Sequence, residues 1–147
     1  MNEDEHSLTA IQWFNLGYDY DSKEDYDKAV FAYTKAIELN PQDADAYINR
    51  GAVYDIKGEY DLALSDYTKA LELNPQDADV YSNRGAVYDF KGEYDLAIAD
   101  YNQAIELNPQ AVDVYISKVA ACEKSGHYTP CQINAIKQKI RELGGEI

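Results

Sequence analysis

Apolar side chains along this chain fall into stretches of helical periodicity about fourteen residues long, the length of an ordinary helix. Two kinds of break alternate between them. Lys57-Gly58 and Lys91-Gly92 are the first kind, where glycine ends a helix at little cost. Asn-Pro-Gln-Asp, at 40–43 and again at 74–77, is the second. Its proline stops a helix, and Asp43 and Asp77 can cap the helix that follows. The pattern predicts an all-α chain with helices near 10–22, 24–39, 44–57, 60–73, 78–91, 94–107, 112–125 and 130–143. Gly51 with Ala63, and Gly85 with Ala97, are small enough for two helix backbones to approach while tyrosines fill the gaps beside them. One such hairpin cannot bury its apolar face, so neighbouring hairpins must stack.

The breaks recur with a fixed period, and self-comparison makes the period explicit. Residues 44–77 and 78–111 match at 25 of 34 positions, and residues 10–43 align with the same spacing. In the first helix of each block an aromatic residue is followed at fixed offsets by Leu or Arg, Gly and Tyr. The sets are Trp13, Leu16, Gly17, Tyr20, then Tyr47, Arg50, Gly51, Tyr54, then Tyr81, Arg84, Gly85, Tyr88. The second helix carries Ala29, Tyr33, Ala36, Pro41, then Ala63, Tyr67, Ala70, Pro75, then Ala97, Tyr101, Ala104, Pro109. This pattern resembles the tetratricopeptide repeat family over about residues 8–143. The resemblance implies a right-handed superhelical solenoid of antiparallel hairpins with a concave groove lined mainly by the first, or A, helix of each repeat. The implied organisation is an N-terminal tail at 1–9, one domain at 10–143 and a short tail at 144–147.

Residues 112–143 keep the spacing but lose most identities. Val119 stands in the glycine position, Cys122 in that of a tyrosine and Cys131 in that of the first B-helix alanine. Thr129-Pro130 still starts a helix, with threonine as cap and proline in the first turn, and Gly144-Gly145 ends it. This reads as a closing hairpin with a polar outer face at Gln132, Lys137, Lys139 and Arg141, as the end of a solenoid requires.

Charge narrows the partners. The net charge is −14, and residues 1–110 hold 23 acidic against 8 basic side chains, whereas 111–147 hold 4 against 5. So acidic a surface repels nucleic acid and anionic membranes, and it steers toward basic or neutral partners. No run approaches the roughly 18 apolar residues of a membrane span, and Met-Asn-Glu-Asp-Glu-His is unlike a signal peptide, so a cytoplasmic protein is expected. Two cysteines without a CxxC, and the two histidines His6 and His127, are too few and too far apart for a metal site. The thiols of Cys122 and Cys131 are expected to be free. No nucleophile–base pair is visible, which points away from an enzyme and from any cofactor.

The resemblance places Asn15, Asn49, Asn83 and Ser117 in the groove, with Asp45, Asp79 and Asp113, and with Asp21, Asp55 and Asp89 further along. Phe14 and Tyr18, one helical turn apart, add an apolar pocket at the N-terminal end. An asparagine amide both donates and accepts, so a ladder of them can follow the backbone of an extended peptide. This is similar to the ladder in the repeat arm of the O-linked N-acetylglucosamine transferases. Asp45, Asp79 and Asp89 would then favour lysine or arginine. The expected function is a binding scaffold for an extended basic or neutral segment. The alternative is a self-assembling unit, because the basic last helix complements the acidic groove. Chaperone-binding relatives clamp an acidic Glu-Glu-Val-Asp tail with basic residues. Here Phe14, Asp79 and Asn83 hold those positions, so that ligand is not expected.

Arg50 and Arg84 stand where Leu16 stands in the first repeat, and Asp66 and Asp100 stand where Ala32 does. Arginine and aspartate appear together and are absent together, as an ion pair within a hairpin would be. Alternatively, Arg84 reaches Asp66 in the preceding hairpin.

Overall fold

A computed structural model describes residues 8–147; His6 and most of the expected N-terminal tail lie outside the described residues. Among the described residues there are eight helices and no strand: α1 (Ala10–Ser22), α2 (Tyr26–Leu39), α3 (Ala44–Ile56), α4 (Tyr60–Leu73), α5 (Ala78–Phe90), α6 (Tyr94–Leu107), α7 (Val112–Ser125) and α8 (Pro130–Glu142). They form two compact units, one ending at Pro75 and one running Gln76–Ile147. Each unit holds two helical hairpins, with successive helices packed on one another.

The expected capping residues Asp43, Asp77 and Thr129 act as caps, and Thr9 is a further one. Thr9 and Gln12 form a reciprocal capping box, and so do Thr129 and Gln132 ahead of α8. The Asp43 carboxylate accepts from the Asp45 backbone N–H at 3.1 Å, and that of Asp77 accepts from Asp79 and Val80 at 3.1 and 3.2 Å. Helix α2 begins at Tyr26 rather than at 24. The turn before it puts Glu24 in the left-handed region at φ 59°, where the next two hairpins place Gly58 and Gly92.

The tyrosines at the centre of α2, α4 and α6 fill the cores. Tyr33 and Tyr67 are buried in the first unit, where Ala29, Tyr33 and Val53 pack with Phe14, Tyr20, Tyr26 and Val30. In the second unit Tyr101 packs among Ala97, Ile98, Ala104, Val114, Ala121 and Cys122. Each ring meets the glycine of its own A helix: Tyr33 at Gly17, Tyr67 at Gly51 and Tyr101 at Gly85.

The arginine–aspartate pairs form within hairpins. Arg50 donates to both Asp66 carboxylate oxygens at 2.7 Å, and Arg84 donates to both oxygens of Asp100 at 2.8 Å. Asp66 and Asp100 are buried, so each bidentate arginine supplies the counter-charge that a buried carboxylate needs.

Helix α8 starts at Pro130 behind its Thr129 cap as expected, which is two residues later than the 34-residue period alone would place it, after the turn at Gly126. Cys131 therefore does not take the buried place of the first B-helix alanine; it is exposed, and Ile140 supplies a fully buried side chain of α8 instead. Gln132, Lys139 and Arg141 are exposed as expected, and Lys137 is half-buried against Glu123, 2.8 Å away. Both thiols are free, and burial pushes that of Cys122 above its usual value. Native protein treated with a water-soluble thiol reagent should be modified at Cys131 alone, with Cys122 reacting only after denaturation. Peptide mapping checks this, and rapid native labelling of Cys122 would show that α7 opens.

Candidate peptide-binding face

In each unit the two A helices approach one another, α1 to α3 and α5 to α7, while α2 with α4 and α6 with α8 make no such approach. The A helices thus lie on the inner side of each pair of hairpins, and their outward residues form one surface per unit.

On the first unit this surface carries Phe14, Asn15, Tyr18 and Asp21 from α1, with Asp45, Asn49, Asp55 and Ile56 from α3. Asn15 and Asp45 are exposed. Asn49 is half-buried and turns its amide N–H to the Asp45 carbonyl of its own helix at 2.8 Å. The side chains expected to form a pocket divide. Phe14 is half-buried, its ring set edge-on against Tyr33 at 5.6 Å, whereas Tyr18 is 59% exposed. Asp21 and Asp55 are partly desolvated, which raises the pKa of each carboxyl above the usual aspartate value. No cation among the described residues pairs with either.

On the second unit Asp79 and Asn83 are exposed. Asp89 is not open in the same way: the Lys124 ammonium donates to its two carboxylate oxygens at 2.9 and 3.1 Å. The Ser117 hydroxyl donates to the Asp113 carbonyl at 3.1 Å. On the first unit the Tyr33 hydroxyl is buried and makes no hydrogen bond.

Sequence reasoning passed over the exposed apolar residues at the ends of the A helices. Ile56 is 60% and Phe90 73% exposed, and Ile116 also faces solvent. Ile56 and Phe90 share a repeat position next to the Lys-Gly breaks, and an apolar residue recurring at a helix end was the available signal. The surface is therefore mixed, with carboxylates and amides set among apolar side chains, a composition suited to holding a segment of another protein.

Other chemistry finds little support. Among the described residues no group of three or more His, Cys, Asp or Glu side chains could hold a metal ion. The His127 ring lies 3.1 Å from Asp95, and both are well exposed. No helix among the described residues is long and apolar enough to cross a membrane.

The tetratricopeptide repeat model matches three consecutive blocks, residues 10–43, 44–77 and 78–111. The chain belongs to the tetratricopeptide repeat family. Solved structures share the fold of this tetratricopeptide repeat protein. A crystal structure of MamA is 27% identical with a TM-score of 0.87, the match covering 92% of this chain and 78% of that one. The Arabidopsis OM64 TPR domain is 27% identical with a TM-score of 0.75, covering 78% and 95%. The first TPR of Spaghetti (RPAP3), bound to the HSP90 peptide SRMEEVD, is 25% identical with a TM-score of 0.77, covering 80% and 94%. No curated protein sequence matches the chain at a significant level. Family and fold together support a scaffold for protein–protein interaction.

Proposed function

We propose that the protein is a non-enzymatic scaffold whose A-helix faces hold an extended basic or neutral segment of a partner protein. The observation that carries this reading is the joint exposure of apolar and uncompensated acidic side chains on the A helices, Tyr18 and Ile56 beside Asp21 and Asp55. Asn15 and Asn83, both exposed, offer amides to the partner's backbone, and Asp45 and Asp79 add negative field. Asn49 keeps its carbonyl oxygen and one N–H for a partner, since its other N–H is given to Asp45. Asp89 contributes less charge than its neighbours because Lys124 neutralises it. The acidic surface disfavours nucleic acid and anionic membranes, and the two free thiols fit a reducing cytoplasm. The RPAP3 domain's ligand ends in acidic residues. That class does not fit here, because both A-helix arginines are committed to Asp66 and Asp100 and Lys124 to Asp89.

Blocked extended peptides in lysine-rich, neutral and glutamate-rich sets, plus one ending Glu-Glu-Val-Asp, test the reading by fluorescence anisotropy. The lysine-rich set should bind tightest and the acidic peptides least. Raising salt should weaken the lysine-rich set most, since screening shortens from about 10 Å at 0.1 M to about 3 Å at 1 M. Asn15→Ala with Asn83→Ala should keep full helicity and lose about 1–3 kcal/mol of binding, the scale of two hydrogen bonds. Equal affinity for all sets would remove the charge selection, and unchanged affinity in the double variant would remove the amide contacts.

A second reading, self-association through α8, draws on the exposed Lys139 and Arg141 of that helix and the acidic A-helix faces. The first hairpin argues against simple end-to-end stacking. Gln12 and Asp19 are exposed at the positions where α3 buries Ala46 and Val53. Light scattering over a concentration and salt series distinguishes the two, a persistent monomer excluding self-assembly.

A further inference from the structure

Asp21, Asp55 and Asp89 hold one repeat position on α1, α3 and α5, and within the second unit that position is already occupied. Lys124 of α7, 35 residues beyond Asp89, reaches back and binds both carboxylate oxygens. The residue equally far beyond Asp21 is Ile56, which is exposed and carries no charge. Asp21 thus has the setting of Asp89 without its cation. Two features single it out from an ordinary surface carboxylate. Its surroundings desolvate it in part without a compensating charge, a costly arrangement for the ionised form. The Tyr33 ring packs on Gly17, one helical turn before Asp21, and its buried hydroxyl has no hydrogen-bond partner. Burial, and then the neighbouring Asp21 and Tyr18, hold the Tyr33 phenol above its usual pKa.

We propose that Asp21 is the seat of one lysine or arginine side chain of the bound segment, taken up as Lys124 is taken up by Asp89. The incoming cation donates to the Asp21 carboxylate. Its methylene stem lies against the apolar side chains exposed on the same face, Tyr18 and Ile56, as long basic side chains do on apolar surface. Asp21 then sets the register of the segment, because a partly desolvated carboxylate rewards a cation more than the fully exposed Asp45 does.

This inference rests on the peptide-binding reading above, and one experiment separates the two. The full chain is immobilised and exposed to a degenerate library of blocked peptides, and the retained peptides are sequenced by mass spectrometry. Wild type, Asp21→Asn and Ile56→Lys are compared, each change being at a position that faces solvent at least in part. The wild type should enrich lysine and arginine about twofold to fivefold at one peptide position, the range expected of a single accessible ion pair. Asp21→Asn should still retain peptides and lose that enrichment. Ile56→Lys should lose it as well, because the new lysine supplies from within the chain the cation that Lys124 supplies to Asp89. Retained peptides without basic enrichment in the wild type would overturn the Asp21 assignment and leave peptide binding standing. Undiminished enrichment in Asp21→Asn would do the same. Failure of the wild type to retain any peptide would overturn both.

Discussion

Asp66→Ala is expected to destabilise the first unit by about 3 kcal/mol, and the same change combined with Arg50→Leu is expected to restore most of the loss. The argument begins with burial. Asp66 is 4% exposed and receives two hydrogen bonds from Arg50, which also donates to Thr34 at 3.0 Å. Arg50 lies over the rings of Tyr47 and Tyr54, so its guanidinium is enclosed by aromatic surface as well as by its ion partner. Removing only the carboxylate leaves a largely enclosed cation with one neutral acceptor, and that residual charge is the main penalty. Removing both charges takes the penalty away. The chain itself demonstrates the apolar solution, for the first repeat has Leu16 and a fully buried Ala32 at the corresponding positions. Urea unfolding of the two single variants and the double variant, followed by circular dichroism, gives the coupling directly. Additive losses would show that the two side chains act independently.

The same pair shows what the amino-acid order makes legible. Its joint presence in two repeats and joint absence in another identifies partners without coordinates, because identical blocks act as repeated measurements of one local environment. Helix limits were legible for a similar reason: the caps at Asp43, Asp77 and Thr129 and the glycine turns are local chemistry. Where local rules give way, the reading does too. Glu24 occupies a glycine-like backbone conformation that its residue type does not announce. The start of α8 at Pro130 was legible from Thr129-Pro130, but the period still assigned Cys131 to the buried alanine position, and the longer turn after Gly126 leaves that thiol exposed. The candidate face was harder to read because its properties depend on side-chain direction. Recurrence alone could not say that Asn49 spends an N–H on Asp45, that Phe14 leans on Tyr33, or that Lys124 reaches back to Asp89. Asn15 and Asn83 are exposed, each on its own unit.

Gly17→Val is expected to cost about 3 kcal/mol, and Tyr33→Ala about 3–5 kcal/mol, yet the two together should cost distinctly less than their sum. A Cβ added at Gly17 would lie 2.7 Å from both Cδ1 and Cε1 of Tyr33, closer than carbon atoms pack, and valine adds two methyl groups beyond it. The Tyr33 ring cannot yield easily, since the side chain is fully buried and Phe14 is set against it. Truncating Tyr33 instead opens a cavity between α1 and α2, but it breaks no hydrogen bond, because the hydroxyl has no partner. The loss should therefore be almost wholly one of packing. Tyr33→Phe isolates this point: it should leave stability unchanged or raise it. In the double variant valine occupies part of the volume that the ring vacates, so clash and cavity offset one another. The last hairpin already pairs these choices, with Val119 buried at the glycine position and no tyrosine anywhere on α8. Denaturant unfolding of the four proteins provides the cycle. A coupling near zero would mean that Gly17 does not owe its small size to Tyr33, and the reading of glycine and tyrosine as one packing unit in each repeat would fall with it.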